Sequence, residues 1–219
     1  MKKSDIHEVY EILEDVYRNM DEPSVTKISK QTRRDPFRVL ISCLISLRTK
    51  DEVTLAASNR LFAKADTPEK MLTIPADEIA KLIYPAGFYK TKSNTITNIC
   101  RILLDEYDGK VPDEIDELLK LKGVGRKTAN LVVVEGYGRD AICVDTHVHR
   151  IFNRLGYVAT KTPDKTEMEL RKHLPIKYWI RINEILVSYG REICTPVSPH
   201  CSYCRLSDIC DKVSVDRRR

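Results

Sequence analysis

The chain has no run of about 18 apolar residues, the length a helix needs to cross a bilayer. Its N-terminal segment is not expected to be a secretory signal. Its first residues, MKKSDIHEVYEILEDVY, are acidic and patterned as a helix, with no apolar leader core. These two absences predict an intracellular protein with no membrane span. Strict apolar–polar alternation is missing too. Ala141-Ile142-Cys143-Val144 is the one candidate strand, and it is too short to pair. Low-complexity tracts and long repeats are absent. What is there is 219 residues, 42% hydrophobic and 32% charged. That profile fits one or two globular domains with a real core.

Helical periodicity fills most of the length. Ile6, Val9, Tyr10, Leu13, Val16, Tyr17 and Met20 share one stripe, with Ser4 as the N-cap. Asp35-Pro36 reads as a cap followed by proline at the first helical position. The helix it opens, with Phe37, Leu40, Ile41, Leu44 and Ile45, reads as buried. Further helices are expected over Asp51–Phe62, after Thr67-Pro68, after Pro75, and over Lys92–Glu106, where Tyr107-Asp108-Gly109 stops the helix. Others follow Pro112 (Asp113–Leu119), run over Arg126–Glu135, and start at Asp145, at Thr162 or Pro163, and at Pro175. The pattern predicts an all-α fold. The last four residues, Asp216-Arg217-Arg218-Arg219, read as a disordered basic tail.

Seven cysteines divide into two groups. Cys43, Cys100 and Cys143 are scattered in apolar company and read as core residues. Cys194, Cys201, Cys204 and Cys210 follow the spacing C-x6-C-x2-C-x5-C. Four thiolates this close make a complete coordination shell, and zinc and a [4Fe–4S] cluster both accept four thiolates. Two disulfides are a third reading, which an intracellular setting disfavours.

Net charge is 37 − 32 = +5, compatible with a nucleic-acid partner but no demonstration of one. The segment Leu121-Lys122-Gly123-Val124-Gly125-Arg126-Lys127-Thr128-Ala129 joins two short helical patterns through a glycine turn. A helix starting there points unpaired N–H groups and a positive dipole end outward, a site suited to a phosphate. An ordinary glycine connection fits the same residues. Lys127 alone reads as a surface charge, and Asp145 alone as an N-cap.

Taken together, these segments resemble the endonuclease III family, helix-hairpin-helix DNA glycosylases that carry an iron–sulfur cluster. LKGVGRKTAN is similar to that family's hairpin, VDTHVHRIFNRLG to its catalytic aspartate segment, and the four-cysteine spacing to its cluster motif. LISCLISLRTKDEVT and YPAGFYKTKSN resemble two further family segments. The likeness covers roughly residues 30 to 212.

The resemblance implies a helix-hairpin-helix glycosylase fold of two helical domains. One is a six-helix domain over 28–139. The other, residues 1–27 with 140–219, carries the cluster, and the active site lies in the groove between them. It implies a bifunctional DNA glycosylase and AP lyase of base excision repair, acting on oxidised pyrimidines of the thymine glycol type in double-stranded DNA; size and class predict a monomer. Lys127 would be the nucleophile and Asp145 the stabiliser of a cationic sugar. Gly123, Val124, Gly125, Arg126 and Lys122 would meet DNA. Arg48 and Phe88 would fill the gap left by an extruded base. Cys194, Cys201, Cys204 and Cys210 would hold a [4Fe–4S] cluster.

Two positions depart from the family pattern. Arg48 stands where many relatives have Gln, and Lys122 where Pro is common. The loop Thr195–His200 has no Lys or Arg, unlike the phosphate-touching loop of relatives. For Phe88 a core position, and for Arg48 a salt bridge with Asp51, are the plain alternatives. Arg48, Lys50, Lys90, Lys92, Lys122 and Arg126 make a candidate backbone-contact surface. His147 and His149 read as structural. Two rival functions share these motifs: a monofunctional mismatch or adenine glycosylase, and a non-catalytic DNA-binding iron–sulfur protein.

Overall fold

A computed structural model describes residues 5–219. Among them every regular element is helical, and the segment Ala141–Val144 is buried but irregular. The expected cap at Ser4 lies outside the described residues. The chain divides into two compact units, one of residues up to Pro23 with Ile142–Arg219, the other Ser24–Ala141.

The second unit contains α2 (Ser24–Gln31), α3 (Pro36–Ser46), α4 (Asp51–Lys64), α5 (Pro68–Leu72), α6 (Ala76–Ile83), α7 (Tyr89–Glu106), α8 (Ile115–Leu118) and α9 (Arg126–Tyr137). At its centre is α3, which packs against α2, α4, α7 and α9. Phe37 and every residue from Val39 to Ile45 are buried, so the helix is enclosed on all sides, as its apolar sequence requires. The predicted start holds in detail. Asp35 accepts from Arg38 N at 3.0 Å and Pro36 takes the first turn. Thr67 caps α5 in the same way. Ser24–Gln31 escapes a periodicity reading because small polar residues bury much of its inner face. Thr26 Oγ1 donates to Glu135 Oε1 and Ser29 Oγ to Glu135 O, each at 2.7 Å. The helix expected over Asp113–Leu119 is a single turn, Ile115–Leu118.

The first unit contains α1 (Ile6–Tyr17), α10 (Thr146–Leu155), α11 (Pro163–His173) and α12 (Ile182–Glu192), with a 3-10 turn at Ile176–Tyr178. Ile6, Val9 and Leu13 of α1 join Ile151 and Phe152 of α10, Leu170 of α11, and Ile185 and Tyr189 of α12 in one core. Pro175 opens only that 3-10 turn, and the long helix begins at Ile182.

The chain after α12 has no helix. It is nevertheless fixed. Leu206 is buried in the core just described. The expected disordered tail is corrected here. Arg219 N donates to Pro199 O at 2.8 Å, Ser202 N donates to Arg219 O at 2.9 Å, and the Arg219 guanidinium reaches Ser198 O. Carbonyls of the loop after Cys194 thus find donors in the tail, which the composition of the tail alone does not reveal.

Candidate active site

The turn between α8 and α9 builds its shape from two glycines with different duties. Gly123 has φ +95°, and a Cβ there would lie 2.8 Å from Thr95 Cγ2, so a side chain meets both strain and a neighbour. Gly125 is the N-cap of α9 at φ −99°, and a Cβ there would meet nothing within 4 Å. The start of α9 therefore opens onto free space. Its first N–H groups have no acceptor within the helix. Val124 is buried and anchors the turn, while Lys122 is exposed and Arg126 half-buried.

Lys127 is half-buried in the first turn of α9. Its charge reaches Cys43, whose thiol burial pushes up to about 12. Cys100 is also pushed up to about 12 by burial, and Cys43, Cys100 and Cys143 are all core residues, as expected.

Arg48 and Phe88 come together. Phe88 is 63% exposed, which removes the core alternative. Arg48 Cζ lies 5.5 Å from the centre of its ring, while Asp51 turns to α2, its Oδ2 accepting from Ser24 N. Both Arg48 and Phe88 have left-handed backbones, φ +53° and +56°. Non-glycine residues there cost about 1–2 kcal/mol each, and such strain gathers at functional sites. A cavity of about 390 Å³ opens beside this pair, walled by Leu44, Leu47, Arg48, Phe88 and Gly123.

Lys92 is corrected from the surface set. It is only 7% exposed, and its Nζ donates to Ile45 O and Leu47 O at 2.6 Å and to Thr49 Oγ1 at 2.9 Å. Burial lowers its pKa to about 8, so it still carries a proton at neutral pH.

In the other unit, Asp145 is the N-cap of α10. Its Oδ1 accepts from His147 N at 2.8 Å and Val148 N at 2.9 Å, while Oδ2 takes no hydrogen bond among the described residues. His147 Nδ1 sits 3.1 Å from Arg150 Nη2, and His149 Nδ1 sits 2.7 Å from Thr166 Oγ1. Burial lowers both imidazoles' pKa values. Both histidines are thus held by polar neighbours, in line with a structural part.

Cys194, Cys201, Cys204 and Cys210 line one cavity with Tyr189 and Leu206. All four are unpaired thiols. Arg154 Nη1 donates to Cys194 Sγ at 3.3 Å, Lys212 N donates to Cys210 Sγ at 3.4 Å, and the Tyr189 hydroxyl is 3.0 Å from Cys204 Sγ. Burial first, then Cys204 and Cys194, raises the pKa of Cys201; burial first, then the same two thiols, outweighs the Lys212 N–H at Cys210. Thiols crowded this way resist ionising unless a cationic group stands among them, so the donor set fits a metal group. Among the described residues no three His, Cys, Asp or Glu side chains stand arranged to hold a metal ion.

Comparison with known proteins settles the family. Residues 41–175 match the model of the HhH-GPD superfamily of base excision DNA repair proteins. Endonuclease III of Thermotoga maritima is 49% identical over 177 residues, 81% of this chain and 83% of that one. The chain belongs to the endonuclease III family. The mouse endonuclease III-like protein 1 is 41% identical across 83% of this chain and 61% of its own length. Two solved structures agree across 97% of the chain. One is a trapped covalent endonuclease III–DNA intermediate, an estranged-adenine complex (32% identity, TM-score 0.84). The other is a non-covalent endonuclease III–DNA complex (33%, TM-score 0.86).

The family match agrees with the sequence motifs taken as a set; the structure places Lys127 at the start of α9, Asp145 at the start of α10 and the four cysteines around one cavity. The motifs missed Lys92 and the folded-back tail. A lysine inside an otherwise apolar helical face was the available signal for Lys92. For the tail there was none.

Proposed function

We propose that this chain is a bifunctional DNA glycosylase and AP lyase of base excision repair, that its substrates are oxidised pyrimidines of the thymine glycol type, and that Lys127 and Asp145 carry the chemistry. The observation that carries the reading is Lys127 in the first turn of α9, directly after a glycine turn whose open face suits a phosphate. The amine attacks C1′ of the damaged nucleotide, and the bond from C1′ to the base breaks as the base departs with the electron pair. The attached nitrogen gives up a proton, the C1′–O4′ bond opens with O4′ protonated, and the Schiff base so formed makes the C2′ proton acidic. Its loss breaks the C3′–O3′ bond and cleaves the strand on the 3′ side. Asp145, with one carboxylate oxygen used as a cap and the other open, stabilises the positive charge that develops on the sugar.

The damaged base is reached by extrusion, which costs a few kcal/mol and least for a damaged pair. Phe88 and Arg48 enter the gap, the ring as an apolar wedge and the guanidinium as donor to the orphaned base. Gly123, Val124, Gly125, Arg126 and Lys122 take a backbone phosphate at the open start of α9. The chain works as a monomer on damaged duplex DNA.

Cys194, Cys201, Cys204 and Cys210 would hold a [4Fe–4S] cluster, which when bound supplies a structural cross-link to the chain after α12. Zinc needs four sulfurs about 2.3 Å from a single point. The cluster is preferred because the C-x6-C-x2-C-x5-C spacing is similar to the cluster motif of the endonuclease III family, to which the chain belongs.

Borohydride trapping on a duplex with thymine glycol tests the reading. Wild type is expected to give a covalent protein–DNA adduct, and Lys127→Ala none. Base release without trapping by either would make the chain a monofunctional glycosylase. Neither release nor trapping on any damaged duplex would leave DNA binding alone.

A further inference from the structure

Lys92 is a buried ammonium that the chemistry above does not use. Among the described residues no carboxylate pairs with it. Its three acceptors are Ile45 O and Leu47 O, at the end of α3, and Thr49 Oγ1. The last carbonyls of a helix lack partners and carry the negative dipole end. Lys92 therefore caps α3 from another helix. The carbonyls it takes lie just before the left-handed residue Arg48, and the Thr49 hydroxyl just after it.

The same residue also holds Phe88. Lys92 N donates to Phe88 O at 3.0 Å, the first backbone bond of α7. Thr49 Oγ1, bonded to Lys92 Nζ, accepts from Gly87 N at 3.0 Å. A Cβ on Gly87 would stand 2.4 Å from Arg48 O, so the two loops are pressed together and leave room for no side chain. Arg48 and Phe88 each adopt a strained backbone, are exposed, and lie against one another. Strain of this kind persists only where the surroundings over-determine it. Here the surroundings are Lys92, Thr49 and Gly87.

We infer that Lys92 is a positioning residue that locks the Arg48 and Phe88 loops into one preformed wedge, so that base extrusion meets a gap-filling element already in shape. The inference rests on the reading of Arg48 and Phe88 as the gap-filling pair. It assigns Lys92 no contact with DNA. A preformed wedge lowers the ordering cost at the moment of binding. It matters for a lesion inside a duplex and much less for an abasic site in a single strand, where no stack has to be opened.

The test compares single-turnover rates on two substrates, a thymine glycol duplex and a single-stranded abasic oligonucleotide of the same sequence. Lys92→Met keeps the stem and removes the donors. It is expected to lower the ratio of duplex to single-strand rate about tenfold or more. The double variant with Phe88→Ala is expected to be no worse than Phe88→Ala alone, since a lost wedge has nothing left to position. Equal losses on both substrates would reduce Lys92 to a stability residue and overturn the inference. So would fully additive losses in the double variant. A Phe88→Ala variant with no duplex-specific loss would remove the wedge itself, and the inference with it. Absence of wild-type trapping on either substrate would instead sink the lyase reading on which both depend. Should Lys92→Met fail to fold, Thr49→Val decides. It removes only the hydroxyl shared by Lys92 and Gly87, and is expected to move the ratio the same way by about two- to fivefold; an unchanged ratio would overturn the inference.

Discussion

At position 123 a side chain would have to enter space that Thr95 already holds, with the backbone at φ +95°. At position 125, two residues on, a side chain would meet open space at an ordinary φ. On the proposed reading, the two glycines separate folding from binding. Gly123→Ala is expected to cost on the order of 1–2 kcal/mol. In a chain of this size that is a fall of about 2–8 °C in Tm. Gly125→Ala is expected to leave Tm nearly unchanged and still weaken DNA binding, because its methyl group stands where a phosphate approaches the first N–H groups of α9. Thermal unfolding and a binding titration on the same two variants check this. Full affinity in Gly125→Ala would mean that the open end of α9 is not the phosphate site.

At the scale of the helix, the proposed reading gives Asp145 two duties, cap and sugar stabiliser, that substitution can separate. As N-cap of α10 it accepts two backbone N–H groups through one oxygen. Asp145→Asn keeps an oxygen for those bonds and loses the charge. Asp145→Ala loses both, and a lost cap costs about 1 kcal/mol. Excision is expected to fall strongly and alike in both variants, while only the alanine variant loses stability. A faster asparagine enzyme would assign Asp145 to the helix start and not to the sugar. Caps of this kind are local, and so they are legible in sequence: Asp35, Thr67, Asp145 and Thr162 all cap where the residue pattern places them. What was not legible depends on distant partners. The inner face of α2 is buried through Glu135, more than a hundred residues away, and Lys92 is defined by carbonyls of α3. The chemistry proposed for Lys127 and Asp145 rests on a set of motifs read together, since each residue alone has an ordinary structural use.

Across the whole molecule, the two units differ in what holds their chains. Ser24–Ala141 is organised by helices packed around α3. The segment after α12 has no helix and is held by Leu206, by Arg154 bonded to Cys194 Sγ and Thr195 O, and by the tail folded onto Ser198 and Pro199. Such a loop buries little apolar surface for its length, so a group bound by its four cysteines would contribute directly to stability. The consequence is selective. Cys204→Ser is expected to release metal and lower Tm by several degrees. Cys100→Ser, in the core of the other unit, is expected to leave metal content unchanged. Elemental analysis decides the identity of the group at the same time. About four irons with matching acid-labile sulfide per chain mark the cluster. A single zinc would mean that the four sulfurs close into a tetrahedron. Retention of all metal in Cys204→Ser would remove this loop as its site.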